Sequence, residues 1–143
     1  MRPLTDQEVW DFFDSPAGVD GAVAPGWGAL TTIGPDGFPH TVAIGFFRLD
    51  KTIYCGCRDG TQKVRNVDRE PRTSLMLESG RGQSSVLRGV TFQALASVIR
   101  DPRELLEIKR RLSRLRGEPE PSQVAAGIAY ICLRPVRVLS WTN

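Results

Sequence analysis

The sequence has one histidine and only three cysteines, and this scarcity excludes several kinds of chemistry. A catalytic triad or a Cys/His dyad would have to use His40, and no Gly-x-Ser-x-Gly segment is present to carry a nucleophile. Cys55, Cys57 and Cys132 are too few for a disulfide framework, and a structural zinc needs four ligands. We therefore predict free thiols, no metal site and no hydrolase.

Long apolar runs and a strong net charge are also missing. No apolar stretch approaches the roughly 20 residues of a membrane-crossing helix, and no basic region followed by an apolar run begins the chain. The 19 basic residues are offset by 16 acids, so neither a membrane nor a nucleic acid is an expected partner. The length of 143 residues suits one cytoplasmic domain, residues 1–143, whose exposed surface favours a cofactor or a second subunit.

Short apolar or β-branched runs separated by turn residues predict a mainly β fold with peripheral helices. Gly34-Pro35-Asp36-Gly37 is a strong turn signal between two such runs and predicts a β-hairpin. A turn at 49–52 then continues the chain as an antiparallel meander. The predicted strands are 29–33, 41–47, 53–57, 73–77, 86–99 and 129–139.

Two positions in these strands predict irregular geometry. Gly89 and Gln93 lie inside the long predicted strand 86–99 and are places for a bend or bulge, which a barrel needs in order to close. Pro135 has no N–H to donate, so it must lie at an edge, a bulge or a strand end.

Capping signals predict the helices. Thr5-Asp6-Gln7-Glu8 has the spacing of a capping box and opens a short amphipathic helix. Asp101-Pro102-Arg103-Glu104 supplies an N-cap residue, a proline at the first helical position and an acid at the third. The apolar stripe of this second helix consists of Leu105, Ile108, Leu112 and Leu115.

The segment from Gly60 to Pro71 carries the candidate chemistry. A glycine turn leads from a strand into a helix start, where free backbone N–H groups and the helix dipole attract an anion. Thr61 can add a hydroxyl, Lys63 a positive charge and Arg65 a planar fork of donors suited to phosphate. The alternative is an ordinary capped helix with solvated polar residues. The order of the surrounding elements favours a phosphate site.

That order of motifs resembles the pyridoxamine-5'-phosphate-oxidase-like family of FMN-binding split barrels. The resemblance covers about residues 28 to 141, and the pattern Lys-x-Arg-Asn-x-x-x-x-Pro-Arg is its most specific part. It implies a six-stranded antiparallel split β-barrel. The matching segments are Asp36 to Val42, Ile53 to Cys55, Thr61 to Val67, Asp68 to Leu75 and Pro135 to Trp141.

The resemblance also implies which residues hold FMN. Thr61, Gln62 and Lys63 would surround its phosphate tail, with Arg65 and Asn66 nearby. The strand residues that would line the isoalloxazine ring, largely through backbone groups, are His40, Thr41, Val42, Ala43, Tyr54 and Cys55.

In this family the cofactor site lies between the two subunits of a homodimer. Trp141 would then reach the partner's cofactor; the alternative is a tryptophan packed on the barrel rim. The true oxidase has an arginine-rich cofactor strand and a C-terminal Arg-x-His motif. Here the strand begins His40-Thr41-Val42 and no histidine lies near the C-terminal end, so vitamin B6 oxidation is not the expected activity.

The sequence leaves two questions open: the identity of the cofactor, and whether the protein catalyses a reaction. FMN is the leading cofactor, but a related branch uses the deazaflavin coenzyme F-420, whose acidic tail would suit Arg58, Lys63, Arg65 and Arg69; haem is a third candidate. The leading function is a flavin- or deazaflavin-dependent oxidoreductase acting on a small planar substrate. The alternative is a protein of the same fold that binds FMN, haem or a tetrapyrrole without turnover.

Overall fold

A computed structural model of the chain describes residues 1–14, 27–79 and 87–143. Within these residues, seven strands form one antiparallel sheet with three helices at its periphery, which confirms the predicted mainly β fold. The helices are α1 (Asp6–Asp14), α2 (Gln62–Arg69) and α3 (Pro102–Arg116). The strands are β1 (Trp27–Ile33), β2 (Pro39–Gly45), β3 (Phe47–Leu49), β4 (Thr52–Arg58), β5 (Arg72–Glu78), β6 (Arg88–Ile99) and β7 (Ile128–Thr142). The predicted start of the long strand at residue 86 lies outside the described residues.

The sheet curls because a single residue links its two edges. The strand order is β2-β1-β5-β6-β7-β4-β3, so β2 and β3 lie at opposite edges, yet only Phe46 separates them along the chain. The β2 strand pairs with β1, and β3 pairs with β4. The run predicted as one strand at 41–47 therefore spans both edges and closes a half-barrel, as a split barrel requires. Its break at Phe46 is why seven strands are present where six were expected.

A β-bulge bends the long strand pair β6–β7. Gln93 pairs with Arg137, but the next residue, Ala94, pairs with Pro135, which leaves Val136 as the extra residue on β7. The bulge expected near Gln93 and Pro135 is confirmed, and the proline lies where the regular ladder of hydrogen bonds is interrupted.

The core lies inside the curled sheet and is closed at one end by α1. Leu30, Leu75 and Phe92 are completely buried there. The ring of Phe13 on α1 lies 4.7 Å from that of Phe46 and 5.8 Å from that of Phe92, centroid to centroid. The helix is therefore anchored next to the break between β2 and β3.

Both predicted capping motifs are present. The backbone N–H of Thr5 donates to a carboxylate oxygen of Glu8 at 2.8 Å, and the Glu8 N–H donates to the Thr5 hydroxyl at 3.2 Å, which is a complete capping box. Asp101 accepts a hydrogen bond from the Arg103 N–H at 3.1 Å and so caps α3.

The third helix packs on the outside of the barrel through only part of its predicted stripe. Leu105 and Ile108 are buried with Tyr130 and Cys132 in a second apolar cluster, whereas Leu115 is 73% exposed. Among the described residues, no helix is long and apolar enough to cross a membrane.

Candidate functional site

The helix α2 and the turn before it form a platform at the edge of the barrel. The β4 strand ends at Arg58, and Gly60 then adopts a left-handed backbone conformation with φ 81°, which a residue with a Cβ rarely adopts. Val64 and Val67 anchor the helix, since both are buried in the core. The chain therefore presents the N-terminus of α2 directly after the Gly60 turn.

The first backbone donors of α2 lack partners within the helix. The N–H of Arg65 is the first to donate to the preceding turn, to the Thr61 carbonyl at 3.1 Å, so the amides of Gln62, Lys63 and Val64 come before the helical ladder. Thr61 occupies the N-cap position, but its hydroxyl donates instead to the Arg58 carbonyl at 3.1 Å. These N–H groups are therefore available to an anion.

Lys63 adds a full positive charge to this N-terminus. Its half-buried side chain forms no hydrogen bond or ion pair with any residue that the structure describes. Arg58 is a second cation without such a partner in the described part of the chain. Their charges therefore remain uncompensated where β4 runs into α2, and this donor set fits a phosphate group.

Two neighbouring thiols do not neutralise Lys63. Burial raises the pKa of Cys55 to about 12 and raises the pKa of the half-buried Cys57 above its ordinary value, while the nearby Lys63 charge opposes both shifts. Both thiols are therefore neutral at physiological pH. Among the described residues, no group of three or more histidine, cysteine or acidic side chains is arranged to hold a metal ion.

A hydrogen-bond network ties α2 to β1 and engages three of the predicted site residues. The Asn66 amide donates to the Thr32 hydroxyl at 3.0 Å, and the Gln62 amide donates to Asn66 Oδ1 at 2.7 Å. Arg65 donates to Gln62 Oε1 at 2.8 Å. In this arrangement the side chains of Gln62, Arg65 and Asn66 are bonded to one another, so it is the backbone N–H of Gln62 that is free to meet an anion.

His40 lies next to this network and has an unsatisfied polar atom. It is the register partner of Thr32 across the β1–β2 ladder, and its Nδ1 is buried without a hydrogen-bond partner among the described residues. A buried nitrogen of this kind costs free energy unless some group satisfies it. The position therefore suits a ligand with a polar edge that lies between β2 and α2.

The other predicted strand residues face in different directions. Thr41 lies on the outer face of the sheet, where its hydroxyl is 2.9 Å from that of Thr31, and Ala43 is exposed two residues further on. Val42 packs against the core. The ring of Tyr54 stacks on Phe47 beneath α3, with centroids 5.3 Å apart, and burial raises the pKa of its hydroxyl.

Cys55 alternates with Tyr54 along β4 and points into the core. The side chains of these two residues thus leave the α2 platform in opposite directions. Only their backbone groups remain to contact a ligand at this strand.

Trp141 lies far from α2 within one chain. Its indole packs against Gly89, where a Cβ atom would come within 2.3 Å of Nε1. At the other end of β7, Ile128 pairs with Arg58, beside the Gly60 turn. Trp141 is next to the last residue of this long strand, so it lies at the end of β7 away from Ile128. The structure does not bring Trp141 together with the other predicted site residues.

Arg100 is a site residue that the sequence does not single out. It follows β6, and its guanidinium donates to Asp59 just before the Gly60 turn, at 2.9 Å, and to Asp68 in the last turn of α2, at 3.1 Å. These partners lie more than thirty positions away in the sequence, so no local pattern could have revealed them.

A cavity of about 360 Å³ opens at the β-bulge, and it shares no residue with the α2 platform. It lies between β1, β5, β6 and β7 and is lined by Thr31, Ile33, Arg72, Thr73, Ser74, Gln93, Ala94, Leu95 and Val136.

The chain matches the family model described as pyridoxamine 5'-phosphate oxidase over residues 22–142. No curated protein matches it significantly. Among solved structures, a conserved hypothetical protein from Mycobacterium tuberculosis is 27% identical, with a TM-score of 0.74, and the match covers 96% of this chain and 84% of that one.

Two more distant structures share the fold. An F420 reductase is 22% identical with a TM-score of 0.58, and the match covers 79% of this chain and 88% of that one. The haem storage protein from Vibrio cholerae is 17% identical with a TM-score of 0.70, and the match covers 97% and 94% of the two chains. The same fold is therefore found in proteins named for different cofactors.

Proposed function

We propose that this chain, which belongs to the pyridoxamine 5'-phosphate oxidase family, is an oxidoreductase that uses FMN or the deazaflavin coenzyme F-420 and acts on a small planar substrate. The observation that carries the proposal is Lys63, a half-buried cation with no partner among the described residues, at the N-terminus of α2. An unpaired charge in this position is explained by an anionic ligand.

Each part of the α2 platform has a role in this proposal. The N–H groups of Gln62, Lys63 and Val64 bind the oxygens of the phosphate-bearing tail, and the Lys63 ammonium offsets its charge. Arg58 is close enough along the chain to meet the longer, acidic tail of F-420. When bound, such a cofactor supplies the hydride chemistry, and the chain holds the tail, orients the ring and keeps water away from it.

His40 supports the placement of the ring. Its buried Nδ1 lacks a partner in the described part of the structure, and a flavin or deazaflavin ring carries carbonyl and N–H groups along one edge. A ring lying against the β2 backbone from His40 to Ala43 would satisfy that nitrogen, while the sheet backbone fixes the ring plane. In this proposal His40 binds the ring, and no residue is assigned to proton transfer.

The proposed assembly is a homodimer that brings Trp141 of one copy to the cofactor of the other. One cross-strand row runs over the outer face through Ala43, Ala29, Met76, Thr91 and Leu139, each paired with the next. Met76 and Leu139 are 41% and 48% exposed, and more large apolar side chains exposed on the same face surround them: Trp27, Leu95 and Val136. Such a continuous apolar surface favours a protein interface.

Two copies that pack through this face around a two-fold axis bury it against itself, and the proposed role of Trp141 requires that this packing bring it to the partner's cofactor. A monomer at micromolar concentration by light scattering would contradict this assembly.

A binding protein without turnover is the second candidate function. His40 is the only histidine of the chain, and an imidazole nitrogen is the commonest protein ligand of haem iron. The fold shared with the haem storage protein makes this candidate specific enough to test.

The first experiment identifies the ligand. We expect mass spectrometry of small molecules released from the purified protein to find FMN or F-420, and the protein's absorbance to bleach with a reductant and return with an electron acceptor. A Soret band with haem in the released fraction would instead support the second candidate. Apoprotein that binds none of the three in titrations would overturn both.

The second experiment tests the anion site directly. Lys63→Ala should weaken cofactor binding about 10- to 100-fold, the effect of losing a charge-assisted hydrogen bond. Lys51→Ala is the matched control, because Lys51 is an exposed lysine in the turn before β4, at the opposite end of that strand. Equal affinity of the two variants would remove Lys63 from the site.

A further inference from the structure

Arg100 joins the two ends of the α2 platform through two carboxylates. Its Nε donates to Asp59 Oδ2 at 2.9 Å, and its Nη1 donates to Asp68 Oδ1 at 3.1 Å. Asp59 comes directly before the Gly60 turn, and Asp68 lies in the last turn of α2. A single guanidinium at the end of β6 therefore fixes this segment at both of its ends.

Asp59 is also bonded to the turn that leads into the helix. Its Oδ1 accepts the Gly60 N–H at 2.8 Å, and its own backbone N–H donates to the Gly127 carbonyl at 2.8 Å. The carboxylate thereby holds the left-handed Gly60 in place. It also puts a negative charge within two residues of Thr61, next to the donors that would receive a phosphate.

A carboxylate in this position opposes anion binding unless a cation compensates for it. Like charges a few ångströms apart near a protein surface repel each other by kilocalories per mole. Arg100 supplies the compensating charge, and its pKa is raised mainly by hydrogen bonds to Asp68 and Asp59, so it stays protonated throughout the accessible pH range. The same pairing lowers the pKa of Asp59.

We propose that Arg100 is a positioning residue for the anion site: it holds Asp59, and through it the Gly60 turn, and offsets the Asp59 charge that would otherwise repel the cofactor's phosphate more strongly. This inference rests on the function proposed above. Asp68 binds the same guanidinium from the far end of α2, about 9 Å of helix from Gln62 at 1.5 Å per residue, so it anchors Arg100 without holding the Gly60 turn.

Titrations with FMN, or with F-420 if that is what the wild-type protein takes, test this role. Arg100→Gln should weaken binding roughly tenfold, because it leaves Asp59 uncompensated. Adding Asp59→Asn to Arg100→Gln should restore most of the affinity, since asparagine keeps an oxygen for the Gly60 N–H without the charge. Adding Asp68→Asn instead is the matched control and should restore less, because it leaves the Asp59 carboxylate in place at the Gly60 turn.

Arg100→Lys and the single Asp59→Asn variant keep the test decisive if Arg100→Gln folds poorly. The Arg100→Lys variant retains the positive charge and should bind the cofactor more tightly than Arg100→Gln. Asp59→Asn alone should bind it at least as tightly as the wild type. Urea denaturation of each variant separates lost affinity from lost stability.

Two results would overturn the inference while the proposed function stands. One is wild-type affinity in Arg100→Gln. The other is equal rescue by Asp59→Asn and Asp68→Asn, which would mean that Arg100 does not act through Asp59 and the Gly60 turn. A wild-type protein that binds no FMN, F-420 or haem would overturn the proposed function and this inference with it.

Discussion

The Asn66 side-chain amide donates a hydrogen bond to the Thr32 hydroxyl at 3.0 Å, and neither residue has any solvent exposure. This bond joins α2 to β1 and thereby sets where the α2 N-terminus lies relative to the barrel. Because a buried polar group without a partner is costly, the pair should matter more for stability than an exposed bond of the same length.

Asn66→Leu should lower the free energy of unfolding by about 1–3 kcal/mol, since it leaves the Thr32 hydroxyl unpaired inside the protein. Thr32→Val should have a similar effect by leaving the Asn66 amide unpaired. The double variant should cost clearly less than the sum of the two, because no buried polar partner remains. Urea denaturation measures all three, and additive costs would mean that the two side chains do not act as a pair.

The local parts of this fold are readable in the sequence. Thr5 and Glu8 form the predicted capping box, Asp101 caps α3, and the bulge lies between Gln93 and Ala94. These features depend on residues within a few positions of one another or on the missing N–H of a proline, so a single stretch of sequence contains their cause.

The remaining features depend on contacts between distant segments. The break at Phe46, which sends one predicted strand to both edges of the sheet, follows from barrel closure, and an isolated glycine, Gly45, is the one local mark beside it. Arg100 acquires its role only when the end of β6 meets Asp59. For the candidate site, the sequence and its family resemblance predict the α2 segment, while the bond from Asn66 to Thr32 on β1 is visible only in the folded chain.

The Trp141 indole occupies the space that a side chain at Gly89 would fill. A substitution at Gly89 therefore tests this contact directly. A Cβ at residue 89 would lie 2.3 Å from Nε1 and 2.5 Å from Cε2 of Trp141, closer than atoms can pack. Gly89→Ala should therefore displace the indole, change the tryptophan fluorescence and cost about 1–3 kcal/mol of stability. In a Trp141→Ala background the same change should cost nothing, because the overlap is gone. A similar cost in both backgrounds would assign the effect to the β6 backbone.

The buried thiol of Cys55 should make stability depend on alkaline pH. Burial raises its pKa from 9.0 to about 12, so above pH 9 the thiol ionises in the unfolded chain before it ionises in the folded one. The folded state then binds more protons, and this contribution to stability is complete below pH 9 and lost as the pH rises towards 12.

A Cys55→Ala variant isolates this effect from the other groups that titrate in the same range. Wild-type stability should fall more steeply than that of the variant between pH 9 and 11, by up to ~1 kcal/mol per pH unit. Parallel pH profiles in urea denaturation would show that Cys55 ionises as freely in the folded chain as in the unfolded one.

The chemical reactivity of the three cysteine thiols tests their burial independently. The structure describes Cys55 and Cys132 as buried and Cys57 as half-buried, and burial raises the pKa of all three. Since the thiolate is the reactive form, native protein at pH 8 should react slowly with an aromatic disulfide reagent, with Cys57 first, and denatured protein should release three equivalents at once. One native thiol reacting as fast as free cysteine would contradict the described burial.

Leu139 offers the most direct test of the proposed dimer, because it lies in the cross-strand row at the centre of the exposed apolar face and is 48% exposed. Leu139→Glu should produce a monomer in light scattering, since each copy would have to bury an added carboxylate without a partner in an apolar interface. Leu115→Glu is the matched control, as Leu115 is 73% exposed on α3, away from that face. If cofactor binding needs Trp141 of a second copy, the Leu139→Glu monomer should also bind FMN or F-420 at least tenfold more weakly, whereas the control should keep both assembly and affinity. A monomer with unchanged affinity would place the complete binding site within one chain.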